Sequence, residues 1–399
     1  MNNRKALPSL VILTIWLGWI CLYSATMILT PLLPIIETEF KLPHVLAGLL
    51  VSAYMLPYSL MQILSGYLSD RSGTRKPFFI LAVFGVSIST MLIWLAKDLY
   101  TILVLRFIVG LFGGMFYAPS TAFVTQSSGD QDKGKALGII FTSFPVANII
   151  ISSILGLLVV EKVGWRNLVL IFGLPGILYA PFMFVLSKEQ GGMSTQKGVE
   201  GEDPFPTFWK TLKSPPILLS MIINFTTSLA SWSLLTFLPA YFVLVRKLSI
   251  SETSILLFIY WVVQVFSSPI AGYVTARIGS KLPTLVSLLA TCIAVYTIPL
   301  VPIGMPMIVA LIIWGLLGNV SFTAFNVFLT EKVPTRLHGT FFGVFNFMGF
   351  FAATIGPIVF GNITDTFGFD MFFTVSLAFY IISALFVVII KEDVKNPKR

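Results

Sequence analysis

Long apolar runs separated by short polar breaks fill the chain from end to end. Each run has about 20 residues or more, the length that an α-helix needs to cross the hydrocarbon core of a bilayer. None of them shows the alternation of apolar and polar residues that is typical of a membrane-spanning β-strand. The pattern predicts an all-α integral membrane protein with twelve transmembrane helices, numbered here as spans 1 to 12: 7–35, 46–69, 77–96, 100–124, 136–160, 165–186, 216–243, 254–275, 282–303, 306–329, 339–363 and 371–390.

One long polar stretch interrupts the apolar runs near the middle of the chain. Residues 188–215 are rich in glycine and charged side chains, a composition typical of a flexible linker. We therefore predict three parts: an N-terminal bundle of six helices in 1–187, a cytoplasmic linker in 188–215, and a C-terminal bundle of six helices in 216–399.

The charge content agrees with a membrane protein. Charged residues make up only 11% of the 399 residues, whereas soluble domains carry about 25%. The net charge of +9 could suggest a nucleic-acid partner, but the basic residues are dispersed among short loops, so we expect no such partner.

The basic residues also predict the orientation in the membrane. With both termini in the cytoplasm, 19 of the 26 Lys and Arg residues lie on the inner side, 6 lie on the outer side, and Arg106 lies within a span. Because short cytoplasmic loops carry an excess of Lys and Arg, this bias predicts a multi-pass cell-membrane protein with both termini inside.

Side chains that could support catalysis or bind a metal are scarce. The two cysteines, Cys21 and Cys292, lie in separate apolar runs, and the two histidines, His44 and His338, are far apart in sequence. No His, Cys and carboxylate residues have the spacing of a metal site or a nucleophilic triad. No GxxxxGK[ST] loop is present to bind ATP. We therefore expect no enzyme activity, no metal and no cofactor.

The second half of the chain repeats features of the first half. Because six helices separate the copies, each pair of equivalent residues has the same orientation in the membrane, as in parallel repeats related by an axis along the membrane normal. We therefore predict that the two six-helix bundles are pseudo-symmetric. At shifts of 205 or 206 residues the pairs are Pro34 and Pro239, Tyr54 and Tyr260, Gly66 and Gly272, Tyr67 and Tyr273, Arg71 and Arg277, Gly73 and Gly279, Pro77 and Pro283, Gly134 and Gly339, and Gly138 and Gly343.

A short block of glycine and charge joins spans 2 and 3. Because a turn this tight cannot be shielded from lipid, it must lie in water at one face of the membrane. Its glycines would let span 2 pack closely and the chain reverse sharply. The residues of the block are Gly66, Leu68, Asp70, Arg71, Gly73, Arg75 and Lys76.

This block resembles the cytoplasmic signature between helices 2 and 3 of the major facilitator superfamily. The resemblance covers essentially the whole chain, with two six-helix halves, a cytoplasmic linker and inner termini. An Arg followed by a glycine-rich stretch in span 4, and a Gly-Trp-Arg sequence before span 6, also match the family. These residues are Arg106, Gly110, Gly113, Gly114, Gly164, Trp165 and Arg166.

The resemblance implies a secondary active transporter, a symporter or antiporter that moves a small organic solute by alternating access. The implied partners are that solute, for which an anion is one candidate, the lipid bilayer, and a proton as a candidate coupling ion. We expect a monomer. A proton-coupled multidrug exporter and a non-transporting receptor or sensor with the same fold are the alternatives.

The block between spans 2 and 3 would then act as a gate. In the family its acidic residue, here Asp70, reaches the cytoplasmic start of helix 11, where a carboxylate is favoured by about 0.3–1 kcal/mol. A solvated loop that only sets the topology is the alternative. Ala276 occupies the equivalent position in the second half, so the acidic part of the gate belongs to the first half alone. The residues with an implied gating role are Gly66, Asp70, Arg71, Gly73 and Arg75.

Arg106 is the one clear charge deep within a predicted span. A charged side chain at the centre of a membrane helix costs about 2.5–3.5 kcal/mol on insertion scales. Such a residue should face a wet cavity or a partner, so Arg106 could bind an anion or respond to a nearby protonation. Alternatively, it could hydrogen-bond backbone carbonyls or extend toward the outer face.

In this family helices 1, 4, 7 and 10 line a central cavity, so polar and aromatic residues on their middle turns are candidate ligands. Each amide could instead join two helices, and each aromatic ring could serve packing alone. The set fits an organic anion or an amphipathic solute better than a cation. The candidate substrate-binding residues are Arg106, Trp19, Tyr23, Tyr117, Asn224, Trp232, Asn319 and Asn326.

Acidic residues are absent from the middle of the predicted spans. Glu37 and Glu39 follow span 1, Glu331 lies at the inner end of span 10, and Asp365 follows span 11. A proton carrier normally needs an ionisable group on the transport path. The sequence therefore leaves open the coupling ion, together with the substrate and the direction of transport.

Overall fold

The computed structural model describes residues 6–128, 133–157, 163–187, 209–333 and 338–390. Within these ranges the side chains of 6–9, 70, 133–134, 268, 276, 326, 329–331, 338–340 and 342 lie outside the description. The described residues form helices joined by short turns and loops, with no strand among them. Its helices are α1 Ala6–Met27, α2 Leu29–Phe40, α3 His44–Ser72, α4 Lys76–Leu92, α5 Leu99–Ser127, α6 Lys133–Phe141, α7 Ser143–Leu157, α8 Trp165–Leu186, α9 Pro215–Ala240, α10 Ile250–Ile278, α11 Lys281–Leu300, α12 Met305–Leu317, α13 Val320–Lys332 and α14 His338–Ile389.

In the part of the chain that the structure describes, 11 helices are long and apolar enough to cross a membrane. The last of them, Gly343–Ile389, has 47 residues. At 1.5 Å per residue it is about 70 Å long, enough for two crossings of a core about 30 Å thick. Gly368, with φ of 80° and ψ of 178°, breaks the helical conformation between spans 11 and 12. The prediction of twelve membrane helices is therefore confirmed, with spans 11 and 12 following each other directly.

Span 1 differs from its prediction in both length and shape. It consists of α1 and α2, which meet at Ile28, and it continues to Phe40 rather than ending at residue 35. The break lies one turn before Pro31, which has no N–H to donate and whose ring crowds the carbonyl of Met27. The extension places Glu37 and Glu39 inside the helix, and the prediction that these residues follow span 1 is wrong.

Spans 5 and 10 are also interrupted. α6 and α7 meet at Thr142, three residues before Pro145, where the same loss of a backbone donor applies. α12 and α13 are separated by Gly318 and Asn319, so the single helix predicted for span 10 is wrong in detail. After Pro239, α9 passes into a short π-helix, Tyr241–Val245.

The chain forms two compact units. Unit 1 holds the described residues between Met1 and Val199 together with Pro239–Ile255, and unit 2 holds those of Glu200–Leu238 and Leu256–Arg399. Within unit 1 the Ser251 hydroxyl donates to the carbonyl of Leu155 at 3.3 Å. The division into 1–187, 188–215 and 216–399 stays a prediction, and residues 188–208 of the linker lie outside the described ranges.

Each unit packs two helices closely through a glycine at an equivalent position. In unit 1 a Cβ added to Gly110 of α5 would overlap the carbonyl oxygen of Tyr54 in α3. In unit 2 a Cβ added to Gly315 of α12 would lie 2.6 Å from the carbonyl oxygen of Tyr260 in α10. Tyr54 and Tyr260 are a pair of the sequence repeat, so both halves repeat the same contact between their second and fourth spans.

The turn after α3 depends on a glycine conformation. Gly73 ends α3 with φ of 68° and ψ of 7°, and its counterpart Gly279 has φ of 84°. Residues with a Cβ pay about 1–2 kcal/mol to adopt this left-handed conformation. The sharp reversal predicted for the block is present in the backbone of both halves.

Gly73→Ala is expected to lower the free energy of unfolding by about 1–2 kcal/mol. No atom lies within 4 Å of the added Cβ, so the cost comes from the backbone alone. Gly138→Ala is the matched control, because that glycine is helical, exposed and equally uncrowded. The control should gain about 0.5–1 kcal/mol, since alanine is the better helix former. Denaturant unfolding of the purified protein measures both values, and equal stability of the two variants would contradict the assignment.

Candidate functional site

A group of aromatic rings occupies the middle of unit 1. Trp19 and Tyr23 of α1 lie one helical turn apart and stack with their ring centroids 4.7 Å apart and an angle of 20° between planes. Phe116 and Tyr117 of α5 meet the Trp19 ring edge-on, with centroid distances of 4.6 and 5.8 Å. Three of the predicted substrate residues, Trp19, Tyr23 and Tyr117, are therefore brought together.

Two tyrosines of α3 complete this group, and neither was predicted from the sequence as a site residue. The rings of Tyr54 and Tyr58 lie 5.3 Å apart, and Tyr58 is placed beside Tyr23. Their spacing of four residues puts them on one helix face, a signal that could have revealed them. We refer to Trp19, Tyr23, Tyr54, Tyr58, Phe116 and Tyr117 as the aromatic cluster.

Only part of the aromatic cluster is accessible. Tyr23 and Tyr117 are half-buried, whereas Trp19, Tyr54 and Tyr58 are buried. The Nε1 of Trp19 has no hydrogen-bond partner among the described residues, although it is buried. The same holds for the amide nitrogen of Gln62, one turn beyond Tyr58 on α3. A solute that reached the cluster would therefore meet the rings of Tyr23 and Tyr117 first, with donor groups behind them.

Arg106 of α5 contacts the aromatic cluster at Tyr54 and is only 2% exposed. Its Nε donates to the carbonyl of Leu50 in α3 at 3.1 Å. One of its terminal nitrogens donates to the carbonyl of Thr26 in α1 at 2.8 Å. The guanidinium also stacks on Tyr54, with 4.7 Å between its central carbon and the ring centroid. One side chain thus joins three helices of unit 1.

The break in span 1 explains why a cation lies there. Thr26 belongs to the last turn of α1, whose carbonyls lack the usual partners within the helix. The C-terminal end of a helix carries partial negative charge and attracts a cationic donor. Arg106 supplies that donor. Its observed partners are backbone carbonyls, which was one of the two alternatives to a functional role considered from the sequence. Direct contact of Arg106 with a substrate stays a prediction.

The positive charge of Arg106 has no acidic partner in the described part of the chain. The described ion pairs of unit 1 join Glu37 to His44 and Glu39 to Arg166. α5 itself contains no Asp or Glu. Because an apolar interior screens a charge weakly, Arg106 gives the region around the cluster a positive potential.

The described candidates of unit 2 range from buried to half-buried. The amide nitrogen of Asn224 donates to the carbonyl of Phe345 at 2.6 Å, which joins α9 to α14. Trp232 is half-buried, and its ring lies 6.4 Å from that of Phe350. Asn319 is half-buried in the break between α12 and α13, and the side chain of Asn326 lies outside the description.

The gating block is described in part. Gly66 packs on α5, where a Cβ would come within 3.1 Å of the Ala118 methyl group. Arg71 is exposed and Arg75 is half-buried. The side chain of Asp70 lies outside the description, so its predicted contact with the start of span 11 stays a prediction.

The sequence of this chain matches a family model and several relatives of known name. The model described as Major Facilitator Superfamily matches residues 15–357 and, in a second match, 248–399. The chain belongs to the major facilitator superfamily. Its sequence resemblance to that family is thereby confirmed.

Two relatives of the superfamily match the chain over nearly its full length. The sialic acid transporter NanX of Escherichia coli K12 is 26% identical over 403 residues, covering 98% of this chain and 94% of the relative. The D-galactonate transporter of Escherichia coli O6:H1 is 24% identical over 392 residues, covering 90% of each. The chain is a multi-pass secondary transporter for a small organic solute and not an enzyme, as predicted.

A solved structure has the same fold. The bacterial homolog of the human lysosomal transporter Spinster, in an inward-facing and occupied conformation, matches with a TM-score of 0.83. The match covers 96% of this chain and 97% of that protein, at 17% sequence identity. The predicted fold of twelve helices in two related halves is confirmed.

Proposed function

We propose that this transporter carries a small hydroxylated organic acid of the sugar-acid class and that the acid rests against Tyr23 and Tyr117. The observation that carries the proposal is that these half-buried rings belong to a cluster whose member Tyr54 stacks on the buried guanidinium of Arg106. This guanidinium has no acidic partner among the described residues. Sites for small molecules are lined mainly by aromatic and apolar side chains, with a few polar groups that fix orientation.

The charge of the site supports an acid. The positive potential of Arg106 attracts an anion and repels a cation. The buried donors of Trp19 and Gln62 offer hydrogens to carboxylate or hydroxyl oxygens once the solute displaces the rings in front of them. Sialic acid and galactonate, the solutes in the names of two relatives, each combine one carboxylate with several hydroxyl groups.

The multidrug-exporter alternative has less support. A cationic drug would need a carboxylate near the rings, but α5 has no acidic residue. In spans 1 and 2 the acidic residues stand at the ends, at Glu37, Glu39 and Asp70. Three further features stay predictions: the orientation with both termini in the cytoplasm, the monomeric state and the gating role of Asp70. The basic residues of the inner loops support the predicted orientation.

A thermal-shift experiment tests the substrate class. Purified protein is heated with sialic acid, with D-galactonate, with the matched neutral sugar D-galactose, and with a cationic dye. A ligand at 100 times its dissociation constant stabilises the folded state by about 2.7 kcal/mol. We expect an acid to raise the melting temperature and the neutral sugar to leave it unchanged. Stabilisation by the dye alone would favour the exporter.

Tyr117→Ala is expected to weaken binding of the acid about two- to tenfold, because it removes an aromatic contact worth about 0.5–1.5 kcal/mol. Tyr117→Phe keeps the ring and should stay within about threefold of the native affinity. Tyr100→Ala, on the same helix but 76% exposed, is the matched control and should bind normally. The dissociation constants come from titrations of the thermal shift. Native affinity of Tyr117→Ala would remove this residue from the site.

A further inference from the structure

A carboxylate is buried in the outer part of span 1, away from the aromatic cluster. Glu37 lies in the last turns of α2, and its side chain is 4% exposed. Its Oε1 is 3.1 Å from Nδ1 of His44, the first residue of α3. Its Oε2 is buried and has no hydrogen-bond partner among the described residues. His44 is 18% exposed and thus connects the pair to the surface of the unit.

A buried carboxylate with one unpaired oxygen is costly in its charged form. Removing an ionised carboxylate from water is expensive unless charge and hydrogen bonds compensate it. With a neutral imidazole the pair of Glu37 and His44 carries one negative charge. One added proton makes the pair neutral, whether it stays on the carboxylate or on the imidazole, so the proton belongs to the pair.

Other charged residues of unit 1 have contacts of their own or lie exposed. Glu39, two residues further along α2, accepts hydrogen bonds from Nε1 of Trp165 and from Arg166 of α8, each at 2.6 Å. Lys41 is exposed, and its backbone N–H donates to the carbonyl of Glu37. Arg246, beyond α9, donates to the Tyr241 hydroxyl at 3.3 Å. Among the described residues, His44 is the group within hydrogen-bond distance of the Glu37 carboxylate.

A proton fits this pair better than a metal ion. Hard cations such as Ca²⁺ take six to eight oxygen ligands. The described residues contain no group of three or more His, Cys, Asp or Glu side chains that could hold a metal. One carboxylate beside one imidazole is sufficient for a proton.

We propose that Glu37 and His44 form the proton-binding site that couples solute uptake to the proton gradient. The pair lies on the same span as Trp19 and Tyr23, beyond the break at Ile28. The negatively charged pair favours a conformation in which the Glu37 carboxylate contacts water, and the neutral pair favours one in which this carboxylate is buried. Protonation therefore shifts the balance between conformations of span 1. The proposal rests on the transport function but not on the class of substrate.

Proteoliposomes test the coupling. Wild-type protein, Glu37→Gln and the matched control Glu39→Gln are supplied with sialic acid or D-galactonate and an acidic outer medium. A difference of about one pH unit can sustain about tenfold accumulation with one proton per solute. We expect accumulation with the wild type and the control. Glu37→Gln should exchange the solute across the membrane without accumulating it.

Three results bear directly on the proposal. Accumulation by Glu37→Gln equal to that of the wild type would overturn it. So would wild-type uptake that follows a sodium gradient and ignores pH. His44→Gln should change the pH dependence of uptake, because it removes the imidazole that shares the proton with the Glu37 carboxylate. An unchanged profile would remove His44 from the site.

A measurement without solute separates this proposal from the substrate assignment. Infrared difference spectra between acidic and neutral pH detect the carbonyl stretch of protonated carboxyl groups in the purified protein. We expect one such band to be lost in Glu37→Gln and kept in Glu39→Gln. If neither acid is transported but this band is found, the substrate class is wrong and the proton site stands. A band pattern that is unchanged in Glu37→Gln overturns the proton site.

Discussion

Replacing Arg106 with leucine is expected to destabilise the protein and to abolish solute uptake. Leucine is the residue at the equivalent position of the second half, Leu311, where it is fully buried. The substitution leaves the buried carbonyls of Thr26 and Leu50 without this donor, at about 1–3 kcal/mol for each unsatisfied group. It also removes the contact that holds the last turn of α1 against α5. The positions of Trp19 and Tyr23 on α1 depend on that contact. Thermal unfolding of the purified protein and uptake into proteoliposomes measure the two effects.

Arg106→Lys separates the charge from the bridging geometry. A lysine keeps the positive charge but lacks the planar fork that reaches two carbonyls at once. We expect a stability between those of the wild type and Arg106→Leu, with uptake still strongly reduced. Arg166→Leu is the control, because its partly exposed ion pair with Glu39 should contribute only about 1 kcal/mol or less. If Arg106→Leu unfolds at the wild-type temperature, the bridging role is wrong.

Gly110→Ala is expected to destabilise unit 1 strongly, although it adds only one methyl group. The new Cβ would overlap the carbonyl oxygen of Tyr54 and approach Cγ of Pro57 to 2.5 Å. Because these atoms belong to the backbone and a rigid ring, α3 and α5 must move apart. Overpacking of this kind costs about 1–3 kcal/mol or more. The movement also draws Tyr54 away from Arg106, so we expect weaker solute binding together with a lower melting temperature.

Gly315→Ala makes the same test in unit 2. Its Cβ would lie 2.6 Å from the carbonyl oxygen of Tyr260, so a comparable loss of stability is expected. Gly343→Ala, where no atom lies within 4 Å of the added Cβ, should be tolerated. Wild-type melting temperatures for both Gly110→Ala and Gly315→Ala would show that the close contacts relax without cost. A loss at Gly110 alone would show that the two halves are packed differently.

The pattern of apolar runs was sufficient to predict the membrane helices. Their number, their order and the relation of the two halves follow from chain-local features, namely run length, short loops and paired residues such as Tyr54 and Tyr260. The boundaries were less accurate where polar residues are buried by other parts of the protein. Glu37 ended span 1 in the prediction because it is acidic, but the helix continues and buries it against α3.

The aromatic cluster could be predicted only in part. Trp19, Tyr23 and Tyr117 were candidates because polar and aromatic side chains in mid-span positions are unusual. Tyr58 was missed, since a tyrosine in span 2 is equally consistent with packing. Its position beside Tyr23 depends on how α1 and α3 are placed next to each other.

The sequence by itself determined the class of protein, the twelve membrane helices and the presence of one charge deep within the first half, Arg106. These features follow from the cost of placing polar groups in lipid, which acts on each segment separately. Only the tertiary structure decided what this charge touches. Its two carbonyl partners are 80 and 56 residues away along the chain, on helices whose faces meet only after packing. A backbone carbonyl is present at every residue, so no sequence pattern could have distinguished those of Thr26 and Leu50 from the others.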